Sequence, residues 1–299
     1  MPAFPSLPLF RAVDVMEEDR TAKLDWSSID LITDRNNLRK LLGWAYPIPG
    51  VKNKPTFRID MELVGEKTLI LHRWEERSSV NSEGTGFGDS FERESTGPGP
   101  GCEQSTLAGH GRIITYDFSG LKLLVRFEVD ACFESDAAVP FTDDQTSSEP
   151  MDALTETLGS LDISSDTALR VVRGGVIVPQ SDLIKIKTRS SPVGTQALDI
   201  QIQLLLGQIP RAYIGMHSQG VFGSVHEELS WPESETARHK VQVGLKKLRR
   251  VLQEIIDFAL ASGKNAKLSL VYKDKVLQVY QRTSDASLLP EDVLIRFQE

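Results

Sequence analysis

Cysteine is scarce in this sequence: Cys102 and Cys132 are the only two in 299 residues. They support neither a disulfide framework nor a zinc site, because the five histidines show no metal-ligand spacing with them. No apolar run approaches the roughly 18 to 20 residues a membrane helix needs. The opening Met1-Pro2-Ala3-Phe4-Pro5-Ser6 also lacks the basic and apolar regions of a secretion signal. The chain is therefore expected to be soluble and intracellular, in nucleus or cytoplasm, with no membrane partner. Basic residues are missing from 136–168, which carries eight acids: Asp136, Asp143, Asp144, Glu149, Asp152, Glu156, Asp162 and Asp166. That stretch accounts for the whole formal net charge of -8, so the rest of the chain is balanced. An acidic total argues against a nucleic-acid partner. Its distribution weakens that argument, because residues 169–211 hold Arg170, Arg173, Lys185, Lys187, Arg189 and Arg211 against Asp182 and Asp199.

What is present reads as an α+β chain with a mixed, mostly antiparallel sheet flanked by helices. Residues 1–25, with three prolines, are expected to be a flexible arm. Residues 26–299 are expected to form a single domain. A short helix is predicted around 34–42, capped by Thr33 or Asp34. Strands over 56–64 and 67–74 join through Gly65-Glu66, and strands over 112–118 and 121–131 through Ser119-Gly120. Residues 78–111 are rich in Ser, Gly and Pro and read as a long loop. The acidic segment 136–168 reads as a mobile insertion, with a short helix near 151–158. Strands are predicted over 169–178, 182–189, 211–217 and 221–225, and a helix over 195–206. A long helix over 231–261 has Leu245, Leu248, Leu252, Ile255 and Ala259 on one stripe, with a capping box at Ser230 and Glu233. A hairpin of 266–272 with 276–281 closes the pattern.

The chemistry gathers on two of these strands. Residues two apart in a strand project from one face, so Glu128 pairs with Asp130, and Lys185 with Lys187. The two strands are expected to be neighbours. Adjacent carboxylates repel by roughly 4 kcal/mol at 4 Å and an effective dielectric near 20, unless a cation offsets them. That cation could be a metal, as in a metal-dependent phosphodiester hydrolase, or a lysine, as in an ordinary ion-pair ladder.

The ordered motifs resemble the decapping exoribonuclease (DXO) family, which has a restriction-nuclease-like core. Arg35 with Leu38-Arg39-Lys40-Leu41 is similar to its first motif. Gly86-Phe87 leading to Phe91-Glu92 resembles the second with two extra residues. Glu128-Val129-Asp130 resembles the third, and Lys185-Ile186-Lys187-Thr188 the fourth. Gln203 with Pro210-Arg211 resembles the last. The resemblance implies a two-metal site acting on RNA 5′ ends. Glu92, Glu128 and Asp130 would hold Mg²⁺ or Mn²⁺; Lys187 would orient water or phosphate; Gln203 would line the site; Arg35, with Arg189 and Arg211, would contact RNA. Lys185 departs from the pattern. It stands where the family has a metal-binding glutamate, and an ammonium cannot ligate a metal. Strand parity makes Asp182 a poor substitute. Lys185 is expected to supply the positive charge itself, between Glu128 and Asp130. The expected function is a divergent RNA 5′-end decapping or exonuclease-like protein whose hydrolytic site is weakened by Lys185. The alternative is a non-catalytic relative that binds RNA ends or a protein partner.

Overall fold

A computed structural model describes residues 4, 6–18, 23–48, 56–75, 86–99, 109–134, 139–140, 176–190, 197–264 and 266–298. In chain order the elements are α1 (Leu7–Glu18), β1 (Leu31–Asp34), α2 (Arg35–Ala45), β2 (Phe57–Val64), β3 (Thr68–Trp74), α3 (Gly88–Ser95), β4 (His110–Asp117) and β5 (Lys122–Val129). They continue with β6 (Ala131–Cys132), β7 (Val139–Pro140), β8 (Val176–Ile177), β9 (Leu183–Arg189), α4 (Ala197–Leu206), β10 (Arg211–Ser218) and β11 (Val221–Leu229). The last are α5 (Glu235–Ala261), β12 (Lys267–Lys273), β13 (Val276–Gln281) and α6 (Glu291–Leu294). Among the described residues no helix is long and apolar enough to cross a membrane. The acidic segment 136–168 and its short helix lie outside the described residues apart from β7, as does most of the strand expected over 169–178.

A seven-stranded sheet runs β13-β12-β2-β3-β1-β5-β4, with β1 parallel to β3 and β5 and the other pairs antiparallel. A four-stranded sheet runs β11-β10-β9-β6, with β9 and β10 parallel. Together they give the mixed, mostly antiparallel α+β architecture that the alternation predicts. The large sheet is covered on both faces, which is why β3 and β5 contain uninterrupted apolar runs as well as alternation. One face, with Leu31, Leu71, Leu123, Val125 and Phe127, packs against Leu38, Leu42, Ile202, Leu206, Leu248 and Leu252 of α2, α4 and α5. Gly244 lets α2 and α5 close on each other, since a Cβ there would stand 3.1 Å from Tyr46 and 3.2 Å from Leu42. The helix cap differs from expectation: α5 starts after Ser234, which leaves Ser230 and Glu233 outside it.

The opposite face corrects the expected N-terminal arm. Residues 7–18 form a helix whose Leu7, Leu9 and Phe10 are buried with Ile32, Ile70 and Leu124. Phe10, Trp26 and Phe297 meet with ring centroids 5.1 to 6.1 Å apart, each pair adding about 1 kcal/mol beyond area burial. Glu62 fixes the returning C-terminal segment by accepting from Ser287 Oγ at 2.8 Å and from the Leu288 N–H at 2.5 Å. Gly65 turns the β2–β3 hairpin at φ 59°, where a Cβ would stand 2.1 Å from the Phe297 carbonyl.

Candidate functional site

The chain passes from the large sheet to the small one at Asp130. Strand β5 pairs with β1 and β4, and two residues later Ala131 and Cys132 pair with Ile184 and Leu183. The expected direct pairing of 126–130 with 182–189 is therefore corrected: only the two residues after Asp130 join β9. The cause lies in Leu123, Leu124 and Val125, which are buried on both faces and place β5 inside the large sheet.

Asp130 is held by two donors at this crossing. Lys185 Nζ bonds its Oδ1, with side chains only 6% and 5% exposed for Lys185 and Asp130. The Ile186 backbone N–H donates to Oδ2 at 2.7 Å. Burial pushes the Lys185 ammonium down to about 8, opposed by Asp130 and reinforced by Lys187. Helix α3, expected as part of a loop, brings Glu92 to the same charges. Its carboxyl is pushed up, first by burial and then by Asp130, while Lys185 and Lys187 pull it down and Glu128 adds to the rise.

The anchorage of α3 is aromatic. Phe91 stacks on Phe222 with centroids 4.4 Å apart. Its ring lies against Gly215, where a Cβ would stand 2.6 Å from Cζ. Phe87 meets His217 edge-on at 5.0 Å. The sequence signal available for this helix was the four-residue spacing of Phe87 and Phe91, set among glycines and serines.

Arg35 lies beneath the site, 7% exposed. It donates to the carbonyls of Gln203 at 3.4 Å and Glu128 at 3.3 Å, and its guanidinium lies over Phe127 at 5.0 Å. Burial, then Arg39, lowers its pKa to about 10. It is thus committed to tying α2, α4 and β5 together. The Gln203 amide donates to Asp199 Oδ2 at 2.9 Å, and Asp199 also takes Arg39 at 2.7 Å. Sequence reasoning missed this Arg39–Asp199–Gln203 link.

Glu92, Glu128, Asp130, Lys185 and Lys187 therefore gather around one crossing. Arg211 does not join them. It is aligned with Ile184, one position out of phase with Lys185, so it faces the other side of the small sheet, where it pairs with Glu227 at 3.0 Å and lies over Phe133. Arg189 shares the alternation of Lys185 and Lys187. Asp182 ends a 3-10 turn before β9.

A hard divalent cation takes several convergent oxygen donors. Here one Asp130 oxygen holds an ammonium and the other an amide, and a lysine stands in the ligand row. Among the described residues, no three or more His, Cys, Asp or Glu side chains are grouped to hold a metal ion. The expected Glu92, Glu128 and Asp130 set does not fit Mg²⁺ or Mn²⁺ in this arrangement.

A family model described as Domain of unknown function (DUF8563) matches residues 1–298. A search of curated proteins finds no match. Among solved structures, Rai1 of S. pombe is similar at a TM-score of 0.59 and 14% identity, covering 91% of this chain and 77% of that one. Candida albicans Rai1 in complex with pU5-Mn²⁺ gives 0.58 and 13%, covering 98% and 80%. K. lactis Dxo1 in complex with manganese gives 0.54 and 11%, covering 95% and 73%. At these identities the likeness is one of fold, and at that level it bears out the resemblance drawn from the motif order.

Proposed function

We propose that this chain, which belongs to the family Domain of unknown function (DUF8563), binds RNA 5′ ends on a nuclease fold whose hydrolytic site is weakened by an internal ion pair. The observation that carries the reading is Lys185 Nζ on Asp130 Oδ1. Binding of pU5-Mn²⁺ by the similarly folded Candida albicans Rai1 supports an RNA end as the ligand. In such sites metal ions stabilise attacking and leaving oxygens. Here Lys185 neutralises Asp130, and the Ile186 amide fixes the carboxylate against β9. Glu92 stays near enough to feel this pair and Glu128, and among the described residues Lys187 forms no ion pair with a carboxylate. The site can hold and orient a phosphate more readily than it can activate water.

The test is hydrolysis of 5′-triphosphate, unmethylated-cap and NAD-capped RNA with Mn²⁺ or Mg²⁺. The wild type is expected to be nearly silent, and Lys185→Glu to gain metal-dependent cleavage that Asp130→Ala on that background removes. Cleavage by the wild type, abolished by Asp130→Ala alone, would establish an active decapping nuclease instead.

A further inference from the structure

We infer that the free edge of β13 is a self-association surface whose occupant is β13 of a second copy of this chain. The inference is independent of the RNA-end reading. The seven-stranded and four-stranded sheets end in β13, β4, β11 and β6. An open edge offers its N–H and C=O groups to any other strand, and folded proteins blunt it with charge, bulges or shortness. Strand β6 has only two residues. Strand β4 carries Arg112 and Asp117, and Arg112 is bonded to the Val178 carbonyl. Strand β11 carries Glu227 and Glu228 and is bulged at Gly223, since Met216 pairs with Ser224 and the next residue, His217, with Phe222. Strand β13, Val276-Leu277-Gln278-Val279-Tyr280-Gln281, has none of these devices. It holds no charge and no proline, and its register with β12 is unbroken.

The edge is open in a definable pattern. The Arg282 N–H donates to the Lys267 carbonyl at 2.9 Å, so the even-numbered residues of β13 aim their backbone groups at β12. Those of Leu277, Val279 and Gln281 aim away from the sheet, and no strand pairs with them among the described residues. The side chains of Val276 and Tyr280 are 52% and 49% exposed. An antiparallel copy related by a two-fold axis at Val279 meets every one of these groups. Val279 then faces Val279 of the second copy and Leu277 faces its Gln281, giving about six interstrand hydrogen bonds. Tyr280 faces Gln278 of the second copy, the side chain type that its hydroxyl already bonds within its own strand at 2.6 Å. It also comes within diagonal reach of Val276 of that copy. Past the strand ends, Lys275 comes level with Thr283 and Asp274 with Ser284. No like charges meet in this register, although each copy carries a net charge of -8.

The experiment is sedimentation equilibrium of the full chain from about 1 μM to about 1 mM. An edge-to-edge contact is smaller than a standard interface, so the wild type is expected to dimerise with a dissociation constant of roughly 10 to 100 μM. Gln278→Lys with Tyr280→Lys should weaken the dimer about tenfold or more, because lysines then face each other across the pair. Gln278→Glu with Tyr280→Lys should restore it, because each glutamate then faces a lysine of the second copy. That recovery separates a broken interface from a broken fold. Val225→Lys on the edge strand β11 should leave the dimer unchanged. A wild type that stays monomeric to about 1 mM overturns the inference. So does a dimer that Val225→Lys dissolves and the β13 substitutions do not. Loss of the dimer in both double variants overturns the two-fold register at Val279.

Discussion

Two buried aspartates, one inside the large sheet and one at the crossing between the two sheets, make the same kind of contact to different ends. Asp60 sits on β2 inside the large sheet and accepts from Arg58 Nε at 2.6 Å, from Arg58 Nη2 at 3.1 Å and from Ser269 Oγ at 2.7 Å. Arg58 is 37% exposed and lies over Trp74, so its charge keeps access to water. Asp130 is paired with a lysine as deeply buried as itself. The first pair closes a finished piece of architecture with every polar atom of the carboxylate used. The second takes two charges out of water, and among the described residues Lys187, Glu92 and Glu128 beside it form no ion pair. A pair of the second kind costs desolvation that its own attraction barely repays, so its value lies in what it does to its neighbours.

The comparison breaks most sharply when one partner is removed. Lys185→Met should cost about 3 to 5 kcal/mol in urea unfolding, because it strands a buried carboxylate. Asp60→Ala should cost about 1 to 3 kcal/mol, since Arg58 can turn to solvent and only Ser269 loses a buried partner. Lys185→Met combined with Asp130→Leu should recover much of the first loss.

A smaller effect comes with pH. Lys185 has a folded value near 8, below its ordinary 10.5, so between those limits the unfolded chain binds more protons than the folded one. The contribution of Lys185 is thus fully favourable above 10.5 and is lost as pH falls through about 8. The stability of the wild type relative to Lys185→Met should rise from pH 8 to 10.5 in paired denaturation curves, and a flat difference would contradict the burial of the ammonium. The smallest effect belongs to a pair outside the contrast. Arg250→Ala removes an i,i+4 contact to Glu254 whose partners are 82% and 63% exposed, and thermal unfolding should register no more than about 0.5 kcal/mol.

The regular parts of the fold were legible because local patterns decide them. The β2–β3 and β12–β13 hairpins follow from alternation and turn residues, and α5 from a stripe that includes Leu248, Leu252 and Ile255. Helix α1 departs from the arm that three prolines suggest, because Pro8 falls in the first helical turn, where a missing N–H costs nothing. The crossing at Asp130 left no local mark, since it depends on which distant strands β5 and β6 meet. Of the candidate site, the charge of Lys185 opposite Asp130 could be anticipated from residue types. The Ile186 amide could not, because backbone donors are invisible to side-chain patterns. Nor could Arg211 be placed, whose face follows from its alignment with Ile184.

The ring of Phe91 on Gly215 sets a tolerance for the seat of α3. The residue after that ring is Glu92, and the space beneath the ring admits a hydrogen atom and nothing larger. A single added methyl on β10 would have to tilt the ring from Phe222 or lift α3. The position of Glu92 beside Asp130 and Lys185 is thus gauged from below, by the smallest side chain in the protein on a strand that carries none of the site's charges.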